Sequence, residues 1–382
     1  MPALAGPHSH LPAPARTLVT FDARRAEGGA TGHDRVSRRN VARRLAAVIG
    51  CEFGGEYAPG TPYAPPLYFV PHDALHAADA RRLGIAGTPH IFGGVVPHAF
   101  VATKAITHPL VNRGAVAPAG WSHAFARAAG DAVLRGVTTF SVADARRAAL
   151  ALLREGPVRI KCVSGIGGSG QHVARDEAEV AQALRVIPSH EFAGAGVAIE
   201  EHLADAVTFS VGCVECAHAT IAYCGTQRET RNHHGHEVYG GSTLDVVRGD
   251  FAALQGRQRD DDRRAAVHLA CTYDAAAFAA YPDAYASRRN YDVLFGRDAA
   301  GRRRAGVLEQ SWRIGGASGA EVMALEAFAR EPARTAVRCA TVEVYDDGCP
   351  VPAGAFVYYR GVDARAGALT KYACEIDDHD AR

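Results

Sequence analysis

Two apolar segments near the C-terminus, residues 290–295 and 306–313, alternate like β-strands and are separated by turn residues at 298–301. The midpoint between Asp292 and Glu309 falls within that turn, so a β-hairpin would bring their β-carbons to about 5 Å from each other. At that separation two carboxylates can share a divalent cation. A one-residue slip, such as a bulge produces, would instead put them on opposite faces. The sequence therefore predicts a hairpin with a candidate metal site and leaves its register open.

The second of these segments carries acid and base on one side. Alternation places Glu309, Ser311 and Arg313 on the same face, where they could bind metal and phosphate together. An ordinary surface hairpin with charge pairs is the alternative. Gly315 and Gly316 follow directly and favour a site, because paired glycines let backbone approach a ligand closely.

A glycine-rich loop follows a strand in the middle of the chain. Residues 157–163 alternate as a strand that places Lys161 opposite its apolar face, and four glycines fall within residues 165–170. Glycines allow the tight backbone that a phosphate cradle requires, although an ordinary hairpin turn has the same composition. A dinucleotide-binding turn fits poorly because residues 171–173 look like a returning strand rather than a helix. A P-loop is excluded because the lysine precedes the loop.

Composition limits the remaining classes of function. The chain has 382 residues, 48% of them hydrophobic, which is enough for two or three lobes. Its 42 basic and 41 acidic side chains give no net field toward nucleic acid or an anionic membrane, so neither is an expected partner. Without a signal-peptide pattern, and with nine cysteines in no disulfide framework, the chain is expected to be cytoplasmic with reduced thiols.

The chain is expected to divide into lobes. Within the first lobe, strands are predicted at 18–21 and 67–70, and helices at 37–49 and 73–83. Residues 227–244, with their histidines and glycines, are predicted to form a functional loop rather than core. The five predicted segments are a flexible tail at 1–16, an N-terminal α/β lobe at 17–110, a nucleotide-binding subdomain with its entry linker at 111–203, a metal-binding and catalytic subdomain at 204–345, and a C-terminal extension at 346–382.

The order of these pieces over residues 100–325 resembles the ATP-grasp superfamily. The pieces are Lys104, Lys161 on its strand, the glycine loop, a strand ending in glutamate, and Asp292 with a Glu-x-x-x-Arg-x-Gly-Gly hairpin. Segments 100–109 and 239–242 also resemble an uncharacterised bacterial branch of ATP-grasp proteins. The resemblance implies an α/β (α+β) protein in which two α+β subdomains clamp ATP, preceded by the small N-terminal lobe.

The resemblance also implies roles for individual residues. Asp292 and Glu309 would bind Mg²⁺ or Mn²⁺, together with Ser311, which stands where the family usually has asparagine and would coordinate more weakly. Arg313 and Lys161 would act on the transferring phosphoryl group. The residues implied to contact ATP are Lys104, Lys161, Gly165, Gly167, Gly168, Ser169, Gly170, Glu200, Glu201, Leu203 and Asp205.

The implied reaction is phosphoryl transfer from ATP to a carboxylate, followed by capture of the acyl phosphate by an amine or thiol. Charge dominates such a barrier, which suits lysines, an arginine and magnesium. The small-molecule acid and its nucleophile are expected to meet in a pocket lined by Gln227, Arg231, His233, His234 and Tyr239. A small-molecule kinase and a weakly catalytic nucleotide-binding regulator remain alternatives, the latter because of Ser311. The oligomeric state, including a homo-oligomer, stays open.

Overall fold

The computed structural model describes residues 16–23, 32–165, 170–217, 219–258 and 260–376. Within these ranges eighteen strands form four sheets, and nine α-helices pack against them. The α/β (α+β) class predicted from the sequence is confirmed. Among the helices so described, none combines the length and the hydrophobicity needed to cross a bilayer.

The secondary-structure elements are numbered in chain order. The strands are β1 Thr17–Phe21, β2 Glu52–Glu56, β3 Leu67–Pro71, β4 Leu75–His76, β5 Gly94–Val96, β6 Gly136–Thr139, β7 Val158–Cys162, β8 Gln171–Ala174, β9 Val197–Glu201, β10 Ala204–Cys216, β11 Ala219–Arg231, β12 Glu237–Arg248, β13 Tyr285–Ala286, β14 Arg288–Arg297, β15 Arg303–Ser311, β16 Ala336–Val344, β17 Phe356–Asp363 and β18 Gly367–Glu375. The helices are α1 Gly32–Val48, α2 Ala77–Arg82, α3 His123–Ala129, α4 Val142–Leu153, α5 Glu177–Val186, α6 Ser189–Gly194, α7 Phe251–Gln255, α8 Asp261–Ala280 and α9 Ser318–Arg330.

The N-terminal lobe is built on a parallel sheet of order β2-β1-β3, with α1 packed against it. The predicted strands at 18–21 and 67–70 are confirmed, and the predicted helix at 37–49 begins earlier, at Gly32. β2 was not predicted, because its sequence of two glutamates, two glycines and one phenylalanine has no apolar run. The predicted helix at 73–83 is shorter, since β4 precedes α2 and pairs with β5 in a second small sheet.

The next lobe contains the antiparallel sheet β6-β9-β7-β8. Its apolar face packs on α4 and α5, and Ile160 and Ile199 lie in that cluster. Both helices begin with side-chain caps: Ser141 accepts from the Asp144 N–H and Asp176 from the Glu179 N–H. The strand predicted at 157–163 and the returning strand at 171–173 are confirmed as β7 and β8.

The largest sheet has the order β15-β14-β10-β11-β12-β16-β18-β17. Helix α8 covers one face, where it joins a hydrophobic cluster that includes Val211 and Val293. Helix α9 packs on the other face in a cluster that includes Tyr223 and Leu244. The segment expected as a C-terminal extension supplies β17 and β18, so it completes this sheet at one edge.

The prediction of a loop over residues 227–244 is wrong. β11 continues to Arg231 and β12 begins at Glu237, so only a short turn separates two long paired strands. The glycines that suggested a loop serve the sheet itself. Gly241, with φ of +128°, adjoins a bulge in β12 and lies so close to the Thr341 backbone that a β-carbon would collide with it. The polar side chains are tolerated because the far end of this hairpin is exposed.

Candidate active site

A bulge in the β14–β15 hairpin brings the two predicted metal carboxylates together. The strands pair residue for residue from the pair Arg297 and Arg303 to the pair Val293 and Val307. If this register continued, Asp292 would lie opposite Leu308, the residue after Val307. The register instead shifts by one at that point, and Asp292 lies opposite Glu309. The hairpin and its predicted carboxylate pair are therefore confirmed.

The environment of Asp292 is unfavourable for an isolated anion. Burial and the neighbouring Glu309 carboxylate raise the pKa of Asp292 to about 7. The Gln227 amide donates a hydrogen bond to Asp292 Oδ1 at 2.7 Å and partly offsets this effect. Two adjacent carboxylates with one fixed amide present oxygen ligands to a hard cation.

Lys104 connects this hairpin to the glycine loop. Its Nζ lies 3.3 Å from Glu309 Oε2 and donates to the Gly165 carbonyl oxygen at 2.8 Å. The segment that carries Lys104 is fixed against β15, because the buried Gln310 amide donates to the carbonyl oxygens of Val101 and Thr103. One ammonium group therefore spans the cleft between the two sheets.

A second lysine forms a buried ion pair on the small sheet. Lys161 on β7 pairs with Glu200 on β9, and His108 Nε2 lies 3.0 Å from Glu200 Oε2. Burial alone would raise the pKa of Glu200, but Lys161 and His108 outweigh it and hold that pKa at about 2. Gly136 on β6 pairs with Glu200. Because glycine has no side chain, it leaves room for the His108 ring, which a β-carbon at this position would approach to 2.7 Å. Sequence reasoning did not assign His108 a role.

A buried charge network supports the end of the hairpin. Arg288 donates to the carbonyl oxygens of Ser311 and Arg313 at 2.9 and 2.7 Å. The Glu321 carboxylate, on α9, accepts from the Arg288 guanidinium and from the Tyr223 hydroxyl. Arg288 and Glu321 are 1% and 0% exposed, so their charges must be satisfied within the protein. Neither residue was predicted from the sequence.

The same network includes Ser311, the predicted third metal ligand. Arg288 Nη1 lies 3.3 Å from Ser311 Oγ and donates to it. A hydroxyl oxygen held by a guanidinium is a poorer cation ligand than a free one, because the two positive charges repel. Ser311 therefore remains a predicted metal residue that its surroundings do not favour.

The loop after β15 places Arg313 and the paired glycines beside Tyr239. Arg313 Nη1 donates to the Ile314 carbonyl oxygen at 3.0 Å, and its Nε lies 3.8 Å from Asp73 Oδ1. A β-carbon on Gly316 would lie 2.6 Å from the Tyr239 ring, so glycine is required for this contact. The Tyr239 hydroxyl is 2.7 Å from Ser242 Oγ, which fixes the ring.

Only part of the predicted substrate pocket lies at this site. Gln227 contacts Asp292, and Tyr239 packs on Gly316, as described above. Arg231 is four residues farther along β11, about 13 Å away at the usual strand rise, and its exposed side chain lies 3.6 Å from Glu237. His233 belongs to the exposed turn, where its ring is 4.1 Å from that of His234. The prediction of one pocket containing Arg231 and these histidines is therefore wrong, because β11 extends instead of folding back.

The predicted adenine and ribose contacts lie at the junction between β9 and β10. The Glu201 carboxylate accepts hydrogen bonds from Arg135 and Arg304, and Leu203 is buried. Asp205 lines a cavity of about 390 Å³ together with Phe209 and Phe295. Because Phe295 is three residues from Asp292, it faces the other side of the sheet, so Asp205 is not brought toward the carboxylate pair.

The glycine loop itself is only partly described. Gly165 and Gly170 lie at its ends, and the Gly170 carbonyl oxygen accepts from the Cys162 N–H at 2.9 Å. The predicted ATP contacts Gly167, Gly168 and Ser169 lie outside the described residues.

The rarity of lysine is a sequence signal that could have supported the prediction that Lys104 and Lys161 bind phosphate. The chain contains three lysines among its 42 basic residues, at 104, 161 and 371. Two of them form the ion pairs beside the cleft, whereas arginine serves nearly all other basic positions. Such selective use of a compact ammonium group suits phosphate binding.

Comparison with known proteins places the fold. A sequence model of the family described as "Protein of unknown function (DUF3182)" matches residues 21–373. No curated protein gives a significant sequence match.

Several solved structures are similar over almost the whole chain. The biotin carboxylase domain of 2-oxoglutarate carboxylase from Hydrogenobacter thermophilus, in complex with MgADP, ADP and bicarbonate, has a TM-score of 0.55 at 13% identity, covering 95% of this chain and 87% of that one. N5-carboxyaminoimidazole synthetase from Staphylococcus aureus, complexed with ADP, has a TM-score of 0.56 at 10% identity, covering 96% and 94%. Carboxyaminoimidazole ribonucleotide synthase from Aspergillus clavatus, complexed with ATP, has a TM-score of 0.52 at 11% identity, covering 96% and 95%. All three are ATP-grasp proteins, and the ATP-grasp fold expected from the sequence is confirmed.

Proposed function

Because the chain belongs to the DUF3182 family and has the ATP-grasp fold, we propose that it is an Mg-ATP-dependent enzyme that activates a carboxylate. ATP would lie in the cleft between the sheet β6-β9-β7-β8 and the eight-stranded sheet. The observation that carries this proposal is the Asp292–Glu309 pair with Lys104 placed between Glu309 and the glycine loop.

The donor set fits a magnesium ion. Asp292 and Glu309 face each other, and burial together with the Glu309 charge raises the pKa of Asp292, so a divalent cation would stabilise its ionised form. Magnesium is usually held by one or two carboxylates together with substrate phosphates, so a complete protein cage is not needed. Among the described residues no cluster of three or more acidic, histidine or cysteine side chains forms a cage, which agrees with a shared site. When bound, the ion would neutralise charge on the ATP phosphates.

The two lysines would change partners when nucleotide binds. Lys104 contacts Glu309 and the Gly165 carbonyl oxygen, and Lys161 contacts Glu200. A triphosphate offers stronger acceptors than a carbonyl oxygen, so Lys104 would donate to phosphate while the cation takes over Glu309. Lys161 would turn toward the phosphates only by weakening its pair with Glu200, whose second partner His108 remains to hold it.

Arg313 would orient the acid and stabilise the charge that develops during transfer. It follows Glu309 by four residues, and Arg288 fixes its backbone carbonyl oxygen. A positioned guanidinium lowers the barrier for phosphoryl transfer without a rearrangement of its own. Closure of the cleft would exclude water, so that the acyl phosphate reacts with an amine or thiol nucleophile rather than being hydrolysed.

A weakly catalytic nucleotide-binding protein is the second candidate. The observation that favours it is the Arg288–Ser311 contact, which removes the hydroxyl best placed to complete the metal site. Such a protein would bind Mg-ATP without turnover. A small-molecule kinase would release ADP with an acceptor alone and would need no amine.

Thermal shift with ATP, with and without magnesium, tests the site. We expect ATP to stabilise the wild type in a magnesium-dependent way. The apparent affinity for Mg-ATP should fall at least tenfold in Lys104→Ala, and the magnesium-dependent stabilisation should be lost in Glu309→Ala. Lys371→Ala is the matched control, because Lys371 is also a buried, ion-paired lysine but pairs with Glu343 on another part of the large sheet. Absence of any shift in the wild type at millimolar ATP would refute the proposed function.

Release of ADP then separates the candidates. Acids are screened alone and with amines or thiols. Turnover that requires both an acid and a nucleophile supports a ligase, turnover with one acceptor supports a kinase, and nucleotide binding without any turnover supports the regulator.

A further inference from the structure

Two guanidinium groups from different lobes meet at one loop. β3 ends at Pro71, and the loop after it begins with His72 and Asp73. Arg38 Nη1, on α1, donates to the His72 carbonyl oxygen at 3.3 Å. Arg313 Nε lies 3.8 Å from Asp73 Oδ1. Because His72 and Asp73 are adjacent in sequence, the two guanidinium groups lie close together where the N-terminal lobe meets the large sheet.

Among the described residues, neither guanidinium group forms a hydrogen bond with a carboxylate. In the ranges that the structure describes, no carboxylate pairs with Arg38, whose hydrogen bond is to a carbonyl oxygen. The distance from Arg313 to Asp73 is longer than a hydrogen bond, so the charge of Arg313 is only partly balanced. Burial and Arg38 lower the pKa of Arg313, as expected for two nearby cations.

The position of these arginines in the fold is that of a ligand site. The strands of β2-β1-β3 are parallel, and residues after β1 and β3 meet at the carboxyl edge, where Asp22 Oδ2 lies 3.4 Å from His72 Nδ1. Open parallel sheets bind ligands outside this edge. Arg38 lies in the second turn of α1, beside the same edge. Arg313 belongs to the hairpin that carries the carboxylate pair, so the edge faces the proposed phosphoryl-transfer site.

We propose that Arg38 and Arg313 bind an anionic group, carboxylate or phosphate, of the acceptor substrate. This inference rests on the proposed function and deepens it by naming the substrate class: an acid held by two arginines, one from the N-terminal lobe and one from the loop after β15. Bidentate guanidinium groups match the planar carboxylate and the phosphate equally well. Arg38 is then a specificity-determining residue supplied by the N-terminal lobe, which otherwise has no assigned role.

Chemical modification of arginine tests the site directly on the full chain. The protein is saturated with Mg-ADP and treated with phenylglyoxal, with inorganic phosphate or malonate as the probe anion, and modified peptides are quantified by mass spectrometry. We expect at least one probe to protect both Arg38 and Arg313. Arg39, the exposed neighbour on α1, should stay reactive. Protection by phosphate only or by malonate only distinguishes the two anion classes. Protection of neither arginine, or of Arg313 alone, overturns the proposal.

Substitutions separate this inference from the proposed function. In Arg38→Gln the Mg-ADP thermal shift should be unchanged, while the additional shift with the protective anion requires about tenfold more anion. Arg38→Lys should recover part of this loss, and Arg39→Gln should behave as wild type. If wild type shows no Mg-ADP shift, the proposed function fails. If that shift is intact and Arg38→Gln binds the anion as well as wild type does, only the Arg38 proposal fails.

Discussion

Replacing Glu200 by glutamine tests how strongly the buried ion pair holds the small sheet. Glu200 is 2% exposed, and its carboxylate contacts the Lys161 ammonium and the His108 ring. Glutamine keeps the size of the side chain but removes its charge. Lys161 would then be left buried beside a neutral amide, which is the costly way to break such a pair.

The expected cost follows from the pKa of Glu200. A pKa of about 2, against an ordinary value of 4.5, corresponds to about 3 kcal/mol in favour of the ionised form in the folded protein. Because the folded pKa lies below the unfolded one, this stabilisation is fully present above pH 4.5 and is lost as the pH falls toward 2. Less than half of it should remain at pH 3, where the wild type and Glu200→Gln should therefore differ much less than at pH 7.

Native-state hydrogen exchange of the β7 and β9 amides reports this local free energy. At pH 7, a loss of about 3 kcal/mol lowers protection by roughly a hundredfold. Glu155→Gln is the control, because Glu155 is an exposed partner of Arg135, and its effect should stay within about 0.5 kcal/mol. Protection in Glu200→Gln equal to wild type, or a difference from wild type that is as large at pH 3 as at pH 7, would refute the reasoning.

Three further substitutions have expected outcomes that calorimetry can check. Without metal, Asp292→Asn should raise the melting temperature at pH 8, because ionised Asp292 is buried beside a like charge. This gain in melting temperature should shrink as the pH falls through about 7, where the wild-type carboxylate becomes protonated. The stabilisation by magnesium should disappear in this variant. Gly316→Ala should cost about 1–3 kcal/mol because its β-carbon would meet a tyrosine ring, whereas Gly256→Ala, with its nearest neighbour at 3.7 Å, should be tolerated; equal melting temperatures would contradict this. Glu321→Gln should cost about 3–5 kcal/mol by leaving Arg288 without its counter-charge, and a loss below 1 kcal/mol would show that the network is dispensable.

Local patterns were sufficient for the elements whose pairing is also local. The β14–β15 hairpin and β7 with its returning strand β8 both involve residues close in sequence. Alternation and turn composition therefore indicated them correctly. The register shift next to Asp292 was foreseen only as a risk, although it is what sets Glu309 opposite Asp292. A bulge depends on backbone geometry that residue type alone does not specify.

The error over residues 227–244 has a different cause. Polar composition and glycine content usually indicate a loop, but here β12 pairs with β16, about a hundred residues later in the chain. That distant strand supplies the hydrogen bonds that make an extended polar segment stable. Tertiary pairing overrode local composition, and with it the predicted grouping of Arg231 and His233 with Gln227.

The residues that sequence reasoning missed are partners of the residues it found. His108 acts on Glu200 from 92 positions away, and Arg288 reaches Glu321 across 33 positions. A single sequence marks a buried charge only when its own neighbours are apolar, and it does not name the group that balances it. Once the fold is known, charge balance becomes a search rule: each buried ion needs a counter-ion, and a cation without one indicates where a ligand belongs. Arg38 is half-buried and has no carboxylate partner among the described residues, and it lies beside Arg313, which is why the acceptor site is sought there rather than at the exposed histidines.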